Sequence, residues 1–215
     1  MMRRAIHWAI FFLLLSTVPA LHATAVEDVL RGMEKAGNTL KTFSADFVRE
    51  RVFLIAEEKN SDNGKFFFEK AGKMVWEFQT PTVRTVLIES NRVSTYQPSI
   101  KQLQRIKLDE QKMGEFQMIG FGGSSKSLTD KYIVKLLGED AAAFHLELTP
   151  RSIDSSLFTK IELWINRTAL VPSGIKFYEK TTDETTIRFT GLQINPVLPT
   201  SRFKISVPPG TTIIE

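Results

Sequence analysis

The chain has 215 residues, of which 42% are hydrophobic and 24% are charged, the profile of a soluble globular protein of one or at most two domains. Its formal charge is +4, but basic and acidic residues are interspersed, as in Arg49, Glu50 and Arg51, so the sequence lacks the concentrated basic stripe that nucleic-acid binding requires. Cysteine is absent, which excludes disulfides, cysteine-ligated metals and a lipid anchor on cysteine.

The first 25 residues have the composition of a secretory signal. Two arginines precede an apolar stretch over residues 9–18, and a proline and small residues follow. The stretch is shorter than the roughly 20 residues that a membrane-spanning helix needs, which favours a cleaved signal over a membrane anchor. We therefore expect residues 1–23 to be a signal peptide, with cleavage after Ala23 or, as the alternative, after Ala25, and residues 24–215 to form one exported domain. In a Gram-negative cell this domain would lie in the periplasm.

Two amphipathic helices are predicted in the exported domain. The first covers residues 26–42, where apolar residues recur with the spacing of one helical face. The second lies between Asp109 and Gly120. The residues expected to face the rest of the protein are Val29, Leu30 and Met33 in the first helix and Phe116 and Ile119 in the second.

Most of the remaining sequence alternates between apolar and polar residues with the period of a β-strand. The alternating runs are 45–53, 64–70, 73–79, 84–89, 92–97, 131–137, 143–149, 158–166, 174–180, 185–194 and 202–207. Turn-forming residues, including Ala71-Gly72 and Thr80-Pro81, separate these runs. About 11 short strands with regular spacing predict a mainly β protein with an antiparallel meander.

One face of the predicted sheet is continuously apolar, because side chains alternate between the two faces along each strand. The residues expected on this face, and lining any cavity over it, are Phe47, Phe66, Phe68, Met74, Trp76, Phe78, Val86, Ile88, Phe144, Leu146, Ile161, Leu163, Ile187 and Phe189. Two helices offer little material to cover so wide a face. A half-closed barrel with helices over its mouth would leave a ligand cavity, whereas a β-sandwich would have an ordinary core. The pattern alone does not choose between them.

Signatures of catalysis and of metal binding are poor. His145 is the single histidine of the predicted exported domain and falls on the polar face of a strand, where a surface histidine is the better interpretation. No Ser-His-Asp set and no cluster of cysteine and histidine for zinc can be assembled around it. The segment Gly120–Ser127 lacks the glycine before lysine of a phosphate-binding loop and is better interpreted as a flexible loop. We therefore predict neither an enzyme nor a cofactor.

The sequence resembles the LolA family of periplasmic lipoprotein carriers over nearly all of the predicted domain. The motifs that carry the resemblance are Leu40–Phe47 (LKTFSADF), Gly64–Trp76 (GKFFFEKAGKMVW), Thr80-Pro81, Tyr96–Pro98, Leu148–Pro150, Ile161–Ile165 (IELWI), Phe203 and Pro208–Gly210. The hairpin with glycine and phenylalanine on one arm and Met-x-Trp on the other is the most specific of these. No enzymatic activity is implied by this resemblance.

The resemblance implies an incomplete, half-closed antiparallel β-barrel covered by amphipathic α-helices that form a lid. It implies a cavity that shields the acyl chains of a lipoprotein between the inner and the outer membrane. The implied partners are an inner-membrane ABC transporter that loads the carrier and an outer-membrane lipoprotein receptor that unloads it, with the carrier as a monomer. Three alternatives stay open: a carrier or sensor of another lipid or glycolipid with the same fold, an exported hydrolase with an apolar pocket, and a purely structural envelope protein.

The hairpin departs from the family pattern at the position of the lid latch. Well-studied relatives carry an Arg-Pro pair whose arginine holds the lid by hydrogen bonds to helix carbonyls, and the matching residues here are Lys70 and Ala71. A nearby phenylalanine of those relatives is Met74. Lysine can donate to carbonyls but lacks the planar fork of arginine, so we expect Lys70 to hold the lid less firmly. The alternative is that Lys70 extends into solvent at the strand end.

Overall fold

The computed structural model describes residues 21–70, 72–107 and 124–215, which form one twelve-stranded sheet with two α-helices and two short 3-10 helices. The elements are α1 Leu21–Thr39, β1 Thr42–Phe53, β2 Glu58–Glu69, β3 Lys73–Thr80, β4 Arg84–Glu89, β5 Arg92–Gln97, a 3-10 helix Pro98–Ile100, β6 Gln102–Lys107, α2 Ser125–Lys131, β7 Tyr132–Glu139, β8 Ala143–Pro150, β9 Phe158–Asn166, β10 Pro172–Glu179, β11 Glu184–Ile194, a 3-10 helix Thr200–Phe203 and β12 Thr212–Ile214.

The strands follow the order β12-β6-β5-β4-β3-β2-β1-β11-β10-β9-β8-β7. Every neighbouring pair is antiparallel except β12, which runs parallel to β6. The two end strands, β12 and β7, are not paired with each other, so the sheet is open and does not close into a barrel. This arrangement confirms the mainly β, incomplete antiparallel barrel and excludes a sandwich, because the described strands belong to a single sheet.

The β2–β3 hairpin forms where the sequence places it. Aromatic and sulfur-containing side chains face each other across it, with Phe66 opposite Trp76 and Phe68 opposite Met74, and such cross-strand pairs stabilise a sheet. Gly64 lies at a register shift of this pair, and a Cβ there would be 2.0 Å from the carbonyl oxygen of Glu77. Only glycine allows this close approach of the two backbones.

Helix α1 packs on one face of the curved sheet, which we call the concave face. Val29 and Leu30 are buried and Met33 packs against the same apolar cluster. Gly32 permits close contact with Leu170, because a Cβ at this position would be 2.8 Å from the Leu170 Cδ1 atom. The predicted second lid helix, with Phe116 and Ile119, lies outside the described residues.

Several boundaries differ from those predicted. Helix α1 ends at Thr39 rather than at residue 42, and β2 begins six residues before the predicted run, in a polar segment without alternation. The predicted strand 202–207 is wrong, because a 3-10 helix ends there and buries Phe203 against the opposite, convex face. Strands β6 and β12 lie at one edge of the sheet and were not predicted. All of β12 is exposed and Leu103 is the one buried residue of β6, so neither strand has a strong periodic signal.

The core lies almost entirely on the concave face. Its fully buried members include Phe43, Leu146 and Leu163, and the cluster extends from β4 across the sheet to β7. A second, smaller cluster on the convex face joins four buried residues, Phe67, Val75, Leu87 and Phe203. None of the helices in the described ranges is long and apolar enough to span a membrane.

Candidate functional site

A mainly apolar cavity of about 300 Å³ lies on the concave face, between β3 and β4 on one side and β9 and β10 on the other. The lining residues are Arg49, Arg51, Phe66, Met74, Trp76, Phe78, Val86, Ile88, Phe158, Ile175, Phe177, Glu179, Thr185 and Ile187. Its volume is at the lower end of the range for small-molecule sites. Apolar side chains make up most of its wall. The charged lining residues, Arg49, Arg51 and Glu179, lie toward the C-terminal ends of β1 and β10.

The residues predicted for this site divide into two groups. Those that line the cavity are Phe66, Met74, Trp76, Phe78, Val86, Ile88 and Ile187. Those that pack in the surrounding apolar cluster without lining it are Phe47, Phe68, Phe144, Leu146, Ile161, Leu163 and Phe189. Alternation identifies the face on which a side chain lies. It does not show which side chains are covered by their neighbours.

Sequence reasoning missed seven lining residues. They are Arg49, Arg51, Phe158, Ile175, Phe177, Glu179 and Thr185. Ile175 and Phe177 alternate regularly in a predicted strand, so their parity could have identified them. Phe158 could not be found this way, because a register shift where Tyr178 and Glu179 pair with β9 changes its parity relative to Ile161.

The aromatic rings of the wall support one another. Phe47 lies beneath the cavity with its ring 5.0 Å from Trp76 and 5.1 Å from Phe78, both nearly edge-to-face. Phe66 contacts Trp76 at 4.4 Å and Phe189 at 5.5 Å. Offset and edge-to-face contacts of this kind add to the stabilisation from burial. The wall is therefore a preformed apolar surface.

Lys70 directly follows β2, and its side chain lies beside the C-terminal end of α1. Its Nζ donates to the carbonyl oxygen of Asn38 at 2.6 Å and to that of Gly37 at 3.3 Å. A positive charge is favourable here, because the last carbonyls of a helix carry a partial negative charge and have no partner within the helix. Lys70 therefore contacts the helix rather than extending freely into solvent.

A second side chain, Asn195, joins the junction between α1 and β1 to the end of β11. Its Oδ1 accepts from the backbone N–H of Lys41 at 2.6 Å and of Thr42 at 3.3 Å, and its Nδ2 donates to the carbonyl oxygen of Thr39 at 3.2 Å. Asn195 has φ of 55°, a left-handed conformation that asparagine tolerates better than most residues. The C-terminal end of α1 is thus held by residues that follow β2 and β11, the two strands that flank β1.

Charged groups form one end of the site, distal to α1. Asp62 is buried and accepts from the Arg49 Nε at 3.0 Å and from the Arg84 Nη2 at 2.9 Å. Both guanidinium groups lie over the ring of Phe78, at 4.8 Å and 3.8 Å from its centroid. The ring and the carboxylate together fix the two arginines.

His145, the single histidine of the predicted exported domain, belongs to a network of side chains on the convex face. His145 stacks on Trp164 with ring centroids 4.4 Å apart, and its Nε2 lies 3.0 Å from Glu162. Tyr178 donates to Glu162 at 2.8 Å, and Lys160 lies 3.0 Å from it. Burial acts to raise the pKa of Glu162, but hydrogen bonds from Tyr178, Lys160 and His145 outweigh it and the pKa is lowered.

These contacts give His145 a structural role. The Glu162 carboxylate is engaged by three donors, and the other histidine contact is an indole ring. In the part of the chain that the structure describes, no group of three acidic or histidine side chains is arranged to hold a metal ion. The concave cavity is therefore the candidate functional site.

The fold and the cavity define a class: an open antiparallel half-barrel whose ring-lined concave face is covered by a helix. The sequence model of the LolA family, described as outer membrane lipoprotein carrier protein LolA, matches residues 38–206. The chain belongs to this family. The family is described by a carrier role and not by a catalytic activity.

Relatives of similar length support the assignment. A protein of Chromohalobacter salexigens named outer-membrane lipoprotein carrier protein is 27% identical over 99% of this chain and 98% of its own. A Bordetella avium protein of the same name is 24% identical over 94% and 97% of the two chains. The crystal structure of an uncharacterized conserved protein from Thermus thermophilus has a TM-score of 0.58 at 14% identity, covering 88% of this chain and 98% of that one, which supports the fold alone.

Proposed function

We propose that the protein is a periplasmic carrier that shields the acyl chains of lipoproteins in its concave cavity and moves them from the inner to the outer membrane. The observation that carries this proposal is the apolar cavity of about 300 Å³ on the concave face, lined by Phe66, Trp76 and Phe78. Helix α1 packs on the apolar cluster of the same face, although none of its described residues lines the cavity. Membership of the LolA family supports the same role.

The wall is suited to binding that is strong but reversible. Each buried CH₂ contributes about 0.8 kcal/mol, so one acyl chain of ordinary length represents on the order of 10 kcal/mol. Aromatic rings and the flexible side chain of Met74 offer broad, non-directional contact to such a chain. No covalent step is needed, because transfer of an acyl chain between apolar surfaces exchanges one set of dispersion contacts for another.

Helix α1 is proposed to act as a lid. The cavity is at the lower end of the volume range for ligand sites and adjoins the apolar cluster on which α1 packs, so room for several acyl chains would come from moving α1 outward. The contacts of Lys70 and Asn195 hold the C-terminal end of α1, where the helix meets β1. Lys70 is thus proposed as the latch, with the α1–β1 junction as the hinge.

The proposed route of the carrier rests on the family resemblance and on the predicted signal peptide. Residues 1–23 are proposed to direct export and to be removed, which leaves residues 24–215 in the periplasm as a single domain. An inner-membrane ABC transporter would load the carrier, and an outer-membrane lipoprotein receptor would accept the cargo. A monomer suits this route, because the same cavity must face both partners in turn.

Native mass spectrometry of the protein purified from the periplasm of its own host tests the proposal. We expect a bound mass equal to that of a triacylated lipoprotein. A free lipid instead would favour a carrier of other lipids with the same fold. A protein without any bound lipid that also fails to take up lipoprotein from inner membranes would contradict the proposal.

A pair of variants links any bound cargo to the cavity. Val86 lines the cavity, whereas Val83 is 57% exposed and does not. Val86→Arg places a charge where the acyl chains would lie, so we expect lipoprotein uptake to fall at least tenfold while the far-ultraviolet circular dichroism spectrum is retained. Val83→Arg adds the same charge three residues away and should leave uptake unchanged. Equal uptake by both variants would exclude this cavity as the binding site.

A further inference from the structure

The concave side of β1 changes character along its length. Phe43 and Phe47 are buried in the apolar core, and the next residues of the same parity, Arg49 and Arg51, line the cavity with their charged side chains. These positions pair with Asp62 of β2 and Thr185 of β11, so the change continues onto both neighbouring strands. Arginine on the inner face of a strand is unexpected in a wall that only holds hydrocarbon.

The charges in this region are balanced. We name the arginine rim as the set formed by three arginines and three carboxylates, Arg49, Arg51, Arg84, Asp62, Glu179 and Asp183. Each arginine is paired with at least one of these carboxylates. The rim therefore offers little net attraction for an anion, and a neutral hydrogen-bond acceptor suits it better.

Arg51 keeps an accessible donor nitrogen within the rim. Its Nη2 lies 3.1 Å from Glu179 and 3.3 Å from Asp183, and its guanidinium covers the ring of Phe53 at 4.6 Å. These contacts fix the group, and its Nε is buried, so neither of these nitrogens is open to a ligand. The Nη1 has no acceptor among the described residues and is not buried, so it can donate to a ligand in the cavity that Arg51 lines.

We propose that the arginine rim is the head-group end of the cavity, and that the Arg51 Nη1 donates to the carbonyl oxygen of the ester or amide at the head of an acyl chain. This inference rests on the proposed function. Hydrocarbon would lie against the rings of Phe66 and Trp76, and the carbonyl would lie at the distal end of β1. The rim would then fix how far a chain enters and distinguish acyl from alkyl chains.

A pair of synthetic probes isolates the carbonyl. The first is a tripeptide with an N-terminal S-glyceryl cysteine that carries two palmitoyl esters, and the second is its dihexadecyl ether counterpart. Both have the same hydrocarbon length, and only the first has ester carbonyls. Competition of each probe against a fluorescent fatty acid in the purified protein gives its relative affinity. We expect the ester probe to bind about tenfold more tightly, the effect of one good hydrogen bond to a charged donor.

Two variants of Arg51 test the assignment. Arg51→Lys keeps a positive charge for Glu179 and Asp183 but has no second terminal nitrogen to serve as Nη1, and Arg51→Met removes the charge as well. Both should lose the preference for the ester probe while binding the ether probe as the wild type does. The control is Arg202→Met, because Arg202 also pairs with a carboxylate, covers a phenylalanine ring and has a buried unpaired Nε, but lies on the convex face. Its preference should stay at the wild-type value.

The outcomes separate the two proposals. Equal affinity of the wild type for both probes, or a preference that both Arg51 variants retain, overturns the head-group site and leaves the carrier function standing. If neither the fatty acid nor either probe binds to the protein, the carrier function fails and the head-group site fails with it. Loss of the preference in the Arg202 variant as well would show a general effect of removing arginine and would also overturn the assignment.

Discussion

The two faces of the sheet contain similar side chains but arrange them for different purposes. On the concave face, rings from β2, β3 and β11 pack around an apolar cavity of about 300 Å³. On the convex face, a depression of about 540 Å³ is larger but lined with Arg92, Arg105 and Lys204, and four buried residues form a small cluster beside it. The polarity of a cavity's lining, and not its volume, therefore indicates where an acyl chain would bind.

Polar networks further distinguish the faces. Glu162 on the convex face is surrounded by donors that use its oxygens, whereas the Arg51 Nη1 in the arginine rim has no acceptor among the described residues and belongs to a residue that lines the cavity. A buried Nε without an acceptor occurs on both faces, at Arg51 and at Arg202, so the rim is distinguished by an accessible donor beside an apolar cavity. Stability should therefore depend on both faces, and ligand affinity on the concave face alone.

The largest expected effect is on stability and comes from the concave core. Phe43 is fully buried between Phe66 and Phe189, so Phe43→Ala should lower the free energy of unfolding by about 3–5 kcal/mol through lost burial and a residual cavity. The matched convex change is Trp164→Ala, which removes a half-buried ring stacked on His145 and should cost about 2 kcal/mol, from the lost partial burial and the lost stacking. Urea denaturation followed by circular dichroism measures both. Equal losses would remove the distinction between the two faces as sources of stability.

The concave face was largely readable from the sequence because burial on one side of a strand imposes a period of two. The parity of Phe66, Phe68, Met74 and Trp76 places these residues on the face that the structure buries. The same rule failed at Phe158, where a register shift reverses the parity, and at the edge strand β12, which is exposed. Alternation reports burial, so it is silent where a strand is not buried.

The polar part of the site was harder to predict for a different reason. Arg49 and Arg51 follow the parity of Phe47, but an arginine on a strand is ordinarily assigned to solvent. What places them at a cavity is pairing with carboxylates from distant segments, 13 residues away for Asp62 and 128 for Glu179. Such long-range pairing depends on the fold, and no local pattern of residues encodes it.

The next effect is a pH dependence that belongs to the convex face. The pKa of Glu162 is lowered in the folded protein from an ordinary value of 4.5, so its charged form stabilises the fold above that pH, and this contribution is lost as the pH falls through the lowered pKa. Glu162→Gln should lower the free energy of unfolding by about 1–2 kcal/mol at pH 7 and by less at pH 3. Chemical denaturation at the two pH values measures the difference.

A surface pair provides the control for that experiment. Glu89 pairs with Lys73 at 2.9 Å, and its side chain is 46% exposed, so Glu89→Gln should change stability by less than about 1 kcal/mol at either pH. Acyl-probe binding at pH 7 should be the same in both variants, since neither residue lines the cavity. A loss of binding in Glu162→Gln with the fold retained would show that the convex network acts on the cavity.

The smallest expected effect on stability comes from Lys70, and it is the most informative about motion. Removing an exposed charge at a helix C-terminus costs about 0.5 kcal/mol, so Lys70→Leu should barely change global unfolding. If Lys70 is the latch, the same change should increase amide hydrogen exchange in α1 severalfold and leave exchange in β1 and β11 unchanged, because only the helix is released. Lys70→Arg retains donors for the Asn38 carbonyl and should keep exchange at or below the wild-type rate.

The rate of amide hydrogen exchange in α1 then distinguishes two explanations of how this helix is held on the concave face. Faster exchange with unchanged sheet protection and altered lipoprotein release would make the helix a cover whose opening is controlled at Asn38 by Lys70. Unchanged exchange would mean that the apolar contacts of Val29 and Leu30 and the hydrogen bonds of Asn195 hold α1 without Lys70. In that case the cavity would have to open elsewhere. The charged end at Arg49 and Arg51 would be the part of the concave face to test, because charged rather than apolar side chains form the cavity wall there.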